Sequence, residues 1–218
     1  MPDRSKALYE VQKSLLSGRP KILERLAERA LQYYETPQQT IPSLNGVNGS
    51  PRKQRSERRE ACLRVLGLLI AYTDLKTLRI GIPRHHGVIS GLTLDWVAKR
   101  VGIGQRRVER ALSDLIKSGL IDSRQRSHRT AKGSYCGVAA IRSLSPHLFK
   151  LLGLSKWLVY EQRRAHKRQT KQDLKANERD TAVRLLALKS SRQGVARSSP
   201  RIAAQYFELI RASLTATR

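Results

Sequence analysis

The stretch from residue 92 to residue 128 decides the fold, and it reads LTLDWVAKRVGIGQRRVERALSDLIKSGLIDSRQRSH. Thr93 is placed to cap the start of a short helix. Gly102 follows that helix at the point where a tight turn needs a left-handed residue. A second helix is predicted from about Gln105 to Ser118, and Gly119 ends it. The stretch therefore predicts two helices joined by a glycine turn.

One more helix is predicted before these two helices, and extended segments are predicted on either side of them. The run ACLRVLGLLIAYTDL, which follows a basic run, has the apolar spacing of a helix, and KTLRIGIP alternates like a short strand. Leu120 and Ile121 begin another extended run, a polar turn spans residues 126–134, and residues 135–144 read as a returning strand. This order is typical of a winged helix-turn-helix. We expect a mainly α fold with a small β-hairpin wing (α+β), a winged helix-turn-helix with flanking helices.

The domain organisation follows from changes in composition along the chain. The uncharged segment TPQQTIPSLNGVNGSP is rich in proline, glycine and asparagine, which favours a linker. We predict an N-terminal helical segment (1–35), a linker and basic arm (36–56), a winged-helix DNA-binding domain (57–154), a basic helical segment (155–192), and a linker with a C-terminal helix (193–218).

The charge of the chain restricts the kind of partner it can have. Lys and Arg number 43 against 17 Asp and Glu, a formal net charge of +26. Such an excess strains a compact chain by self-repulsion and indicates a polyanionic partner, nucleic acid first and an anionic membrane surface second. The basic helices lack the apolar aromatic face of a membrane-surface helix, so we expect no membrane partner.

Enzymatic and metal chemistry find no support in the sequence. There is no glycine-rich phosphate loop, no recognised nucleophile elbow and no zinc spacing, so we expect no catalytic residue, metal or cofactor. The start of the chain lacks the apolar region of a signal peptide. No apolar run approaches the roughly 20 residues that span a bilayer. We expect a cytoplasmic, non-enzymatic protein with reduced cysteines.

The helix over 105–118 carries the candidate base-reading residues. Its apolar side chains fall on one face and its basic side chains on the other. Arginine pairs bidentately with guanine and glutamine with adenine in the major groove. The base-reading candidates are Gln105, Arg106, Arg110 and Ser113. The alternative is an ordinary solvated helix face.

A larger set of cations is expected to contact phosphates. They lie in the basic arm, on the flank of the second helix, in the hairpin and in the basic helical segment, and each could neutralise a phosphate. They are Arg52, Lys53, Arg55, Arg58, Arg59, Arg107, Lys117, Arg124, Arg126, Arg129, Lys132, Arg163, Arg164, Lys167 and Arg168.

The stretch from Arg58 to about Lys171 resembles the plasmid replication initiators of the IncFII RepA type. The resemblance rests on RREACLRVLGLLIAYTDLKTLRIGI, LTLDWVAKRVGI, RVERALSDLIKSGLI, SYCGVAAIRSLSPHLFKLLGLS and WLVYEQRRAHKRQTK, in that order. It implies binding to double-stranded plasmid origin DNA, local duplex opening, and recruitment of the host replication initiator and replicative helicase. The N-terminus and the shorter C-terminal region depart from the family.

Two other functions stay open on the sequence alone, together with a homo-oligomeric state. A transcriptional repressor would use the same DNA-binding domain, but it normally dimerises on a palindrome. A basic RNA-binding protein would explain the charge and would show no preference for a duplex DNA site.

Overall fold

The computed structural model of the protein describes residues 3–50, 52–84, 89–129, 133 and 135–192, in which several helices precede the first strand. The helices are α1 (Asp3–Leu16), α2 (Lys21–Leu31), α3 (Pro37–Thr40), α4 (Pro42–Asn45), α5 (Ser56–Ala71), α6 (Leu94–Val101), α7 (Gln105–Lys117), α8 (Pro146–Leu151) and α9 (Ser155–Arg192). The strands are β1 (Arg79–Ile80), β2 (Ile82–Pro83), β3 (Ile89–Ser90), β4 (Ile121–Arg129) and β5 (Tyr135–Leu144). The prediction of a mainly helical α+β chain is confirmed. None of the described helices is long and apolar enough to cross a membrane.

The two helices at the centre of the sequence argument form as their caps predict. The Thr93 hydroxyl accepts a hydrogen bond from the Trp96 amide at 3.3 Å, which satisfies a free donor at the start of α6. Gly102 ends α6 with a φ of 72°, in the left-handed region that glycine adopts without strain. Gly119 does the same after α7, with a φ of 71°. These local signals fix both ends of α6 and the end of α7.

Strand β5 is the centre of a three-stranded antiparallel sheet in the order β1-β5-β4. The hairpin of β4 and β5 pairs Ile121 with Leu144 at its base and Arg129 with Tyr135 at its far end. A shift in register lies between Arg124 and Arg126. Strands β2 and β3 form a separate two-stranded ladder. The hairpin therefore extends directly from the end of α7.

The segment predicted as a linker, residues 36–56, is instead built into the fold. Ile41 and Leu44 are fully buried. The Asn45 side-chain oxygen accepts a hydrogen bond from the backbone amide of Gln54 at 3.1 Å. The Gln54 side chain in turn donates to the Leu44 carbonyl at 2.7 Å. Pro37 and Pro42 begin the short helices α3 and α4, and the buried side chains of Ile41 and Leu44 anchor this segment in the core.

One apolar cluster runs through the first of two compact units, Met1–His166. It includes Leu8 of α1, Leu26 of α2, Leu66 of α5 and Leu158 of α9. The separate segments predicted for residues 1–35 and 57–154 thus share a core. The second unit, Lys167–Arg218, is described through residue 192, so the predicted linker and C-terminal helix of residues 193–218 lie outside the described residues.

Candidate nucleic-acid interface

Helix α7 has one apolar face and one cationic face. Val108 and Leu115 are fully buried, whereas Arg106, Arg107 and Arg110 are exposed. The arrangement follows from the helical period, which places Arg106 and Arg110 opposite the apolar stripe and Arg107 on the flank of the helix. The structure thus keeps Arg106 and Arg110 at the surface, where the sequence argument requires them.

The two remaining base-reading candidates differ in accessibility. The Gln105 amide group donates a hydrogen bond to the Glu109 carboxylate at 3.2 Å, and both side chains are exposed. That bond leaves the Gln105 carbonyl oxygen facing away from Glu109 and able to accept a further hydrogen bond. Ser113 is half-buried.

A groove of about 460 Å³ lies between the basic arm and α7, and we call it the basic groove. Asn45, Asn48 and Ser50 at the end of α4 and beyond contribute neutral polar groups to it. Its lining contains a single carboxylate, that of Glu57, against six cationic side chains, which are those of Arg52, Lys53, Arg55, Arg58, Arg107 and Arg110. The fold therefore brings together two sets of cations that lie about fifty residues apart in the sequence.

Arg58 at the edge of this groove is paired with a buried carboxylate. Its Nε and one terminal nitrogen donate to the two oxygens of Asp114, both at 2.7 Å. This bond to Asp114 raises the pKa of Arg58. The predicted phosphate contact has to be revised, because two of the guanidinium nitrogens already serve Asp114. Arg58 ties the start of α5 to the inner side of α7.

Arg59 does not lie at the surface, so its predicted phosphate contact is wrong. Its side chain is buried, donates to the Tyr34 carbonyl and lies with its guanidinium carbon 5.0 Å from the centre of the Tyr34 ring. Arg58 and Arg59 are neighbours in sequence, but a helix turns by about 100° per residue. That turn directs Arg59 into the core.

Three further arginines that sequence reasoning did not single out also donate to backbone carbonyls. Arg19 bonds the carbonyl of Thr73 and Arg29 that of Leu152, each just after a helix ends. Arg142 donates to the Leu92 carbonyl at 2.7 Å, and burial lowers the pKa of Arg142. Cations stabilise helix C-termini, where carbonyls lack partners. Part of the positive charge therefore has an internal role.

The other predicted phosphate contacts are spread over several elements. Lys53 reaches the Glu35 carbonyl at 2.7 Å, and Arg164 lies 3.7 Å from Glu161. Lys132 and the side chain of Arg126 lie outside the described residues. The remaining ones are exposed, namely Arg52, Arg55, Lys117, Arg124, Arg129, Arg163, Lys167 and Arg168.

Within the described part of the chain, no group of three or more His, Cys, Asp or Glu side chains could hold a metal ion. What the surface offers is a cationic helix face, a cationic groove beside it and a hairpin that carries exposed arginines. No protein-family model matches this chain, and no curated protein or solved structure shows significant similarity to it.

Proposed function

We propose that this chain binds double-stranded DNA sequence-specifically and acts as a plasmid replication initiator. In this proposal α5, α6, α7 and the β4–β5 hairpin form a winged helix-turn-helix that corresponds to the predicted domain of residues 57–154. The basic groove carries the proposal, because it places the arm and α7 on one cationic surface.

The geometry supports two kinds of DNA contact by α7. Arg106 is exposed and does not line the basic groove, whereas Arg107 and Arg110 do. We assign base reading in the major groove to Gln105, Arg106 and Ser113. Arg110, a base-reading candidate from the sequence, joins Arg107 as a phosphate contact in this assignment. A DNA strand passing through the basic groove would also meet Arg52 and Arg55.

The hairpin fits a second contact with the same duplex. Arg124 and Arg129 are exposed on β4, which begins four residues after α7 ends. In a winged helix the hairpin lies over the neighbouring backbone, where cations neutralise phosphates and add salt-dependent affinity. The initiator role, with opening of the origin and recruitment of host initiator and helicase, comes from the resemblance of residues 58–171.

Footprinting on DNA from the gene's own neighbourhood, at about 150 mM salt, tests the function. We expect a discrete protected site of direct or extended repeats beside an AT-rich segment. A palindromic site without an AT-rich neighbour would instead indicate a repressor. Equal protection of every duplex would contradict sequence-specific binding and favour an RNA-binding protein.

Single substitutions on α7 test the assignment of its residues. We expect Arg106→Ala to weaken specific binding by about 1–3 kcal/mol and to relax one base position. Arg110→Ala should weaken specific and random duplexes alike and reduce the slope of affinity against salt by about 1. Equal losses on both duplexes for Arg106→Ala would contradict its base-reading role.

A further inference from the structure

Residues 167–184 of α9, which belong to the second unit, are all exposed. Four cations recur there at every fourth position, namely Lys167, Lys171, Lys175 and Arg179. Residues four apart are neighbours on a helix surface, so each consecutive pair of these cations repels. Helical geometry spaces them about 6 Å apart along the axis. Together they form a cationic strip, and we use that name below.

Within the described residues, no acidic side chain pairs with the cationic strip to offset its repulsion. None of its four cations forms an ion pair with any residue in the described ranges. Among the acids of residues 167–184, Glu178 falls within the arc of the strip, whereas Asp173 and Asp180 fall on the opposite side of the helical wheel. One acid against four cations leaves a net positive face, which differs from the alternating pairs that stabilise an ordinary solvated helix.

Apolar partners fit this helix face poorly. Within residues 167–184 the large apolar side chains are Leu174 and Val183, each more than half exposed. They are nine residues apart and fall on opposite sides of the helical wheel, so they make no stripe. A coiled-coil seam needs apolar residues every three to four positions, and a membrane-surface helix needs a continuous apolar face. The positive charge of the strip, without an apolar stripe beside it, therefore favours a polyanionic partner.

We propose that the cationic strip of α9 binds the sugar–phosphate backbone of duplex DNA, as a contact separate from α7. Along the roughly 18 Å that the strip covers, one DNA strand presents about five phosphates. Contacts to phosphates carry no sequence information, so in this proposal the strip adds affinity without sequence preference. The choice of DNA over RNA rests on the proposed function.

The test compares two variants with the same loss of charge. In the strip variant, Lys167, Lys171, Lys175 and Arg179 are replaced by Gln. In the control variant, four exposed lysines elsewhere, Lys21, Lys76, Lys99 and Lys150, are replaced by Gln. Glutamine is close to lysine and arginine in helix propensity, so circular dichroism should show unchanged helix content. Binding is measured as a function of salt on specific duplex, random duplex and RNA duplex of equal length.

We expect the strip variant to lose about tenfold or more in affinity at low salt, equally on specific and random DNA. Its slope of log affinity against log salt should fall by about 3 to 4. The control variant should stay within about twofold of the unaltered chain. Equal losses in both variants would show a general charge effect and overturn the proposal, as would a loss confined to RNA.

The outcome is separable from that for the proposed function. If the strip variant loses DNA affinity while Arg106→Ala spares specificity, the strip contact stands and the base-reading role fails. If Arg106→Ala relaxes specificity while the strip variant binds normally, the strip contact fails and the specific DNA-binding function stands.

Discussion

Asp114 is a buried carboxylate on the inner side of a helix whose outer face is cationic. It is 4% exposed and accepts both hydrogen bonds from Arg58. A carboxylate in this position is stabilised by the bidentate pair, and the pair joins α5 to α7. The basic groove borders on Arg58, so the same ion pair helps to set the shape of the groove.

Replacing Asp114 by Asn should lower the free energy of unfolding by about 2 kcal/mol, because charge-assisted hydrogen bonds are lost. The Arg58 side chain is 38% exposed, so water compensates part of the loss. Asp95→Asn is the matched control, because its pair with Lys99 has both side chains more than half exposed. Urea unfolding measures both variants. Similar small losses for the two would contradict a structural role for Asp114.

Cys62 should be almost unreactive in the folded protein. Burial raises the pKa of its thiol to about 12 from an ordinary 9.0, and the nearby Asp114 charge adds to the effect. The thiolate is the reactive form, so its fraction near neutral pH falls roughly thousandfold. Alkylation followed by peptide mass spectrometry should label Cys62 only after unfolding. Rapid labelling of the native chain would show that this thiol is accessible.

The raised pKa of the Cys62 thiol also makes the free energy of unfolding depend on pH. A group whose folded pKa lies above its unfolded value stabilises the fold below the unfolded pKa and loses that contribution as pH rises through the folded value. For Cys62 the loss falls between about pH 9 and pH 12. Burial raises the pKa of Tyr33 in the same direction. We expect the free energy of unfolding to decrease on the alkaline side, measured by urea titration at successive pH values.

The buried and exposed faces of α7 were predictable because they depend on one helical period. The alternation of Val108 and Leu115 with Arg106 and Arg110 is visible in the sequence alone. The Asp114 pairing was not, because its partner lies 56 residues away and the sequence gives no signal for that contact.

At the scale of elements, α6 and α7 were predictable to within a residue or so. Both limits of α6 and the end of α7 are set by Thr93, Gly102 and Gly119, whose effects act over three or four residues. Residues 37–48 were not predictable in this way. Their composition favours a linker, and only their burial against the core makes them structural.

Leu44→Ala should therefore be strongly destabilising, in contrast to a substitution in a true linker. The Leu44 side chain is fully buried, so its removal leaves a cavity that costs about 3 kcal/mol. Ser43→Ala is the control, since Ser43 is exposed in the same short helix. Thermal and urea unfolding report the difference. If both variants unfold like the unaltered chain, the segment is not part of the core.

At the scale of the molecule, the first unit should unfold in a single transition. Its apolar cluster extends from Leu8 to Leu158, so the N-terminal helices and α7 share one core. Hydrogen exchange at increasing urea should give α2 and α7 the same opening free energy. Exchange from α2 at distinctly lower urea would instead support a separate N-terminal segment.

Arg59 and Arg142 are buried and Arg19 and Arg29 half-buried, and each donates a hydrogen bond to a backbone carbonyl. A lysine at any of these sites would leave the isoelectric point nearly unchanged, yet it lacks the planar fork that reaches such a carbonyl from a fixed direction. A chain of the same net charge with lysine at these four positions is therefore expected to be less stable. The number of positive charges also exceeds the number that a ligand can contact, because these four arginines bond to the protein's own backbone.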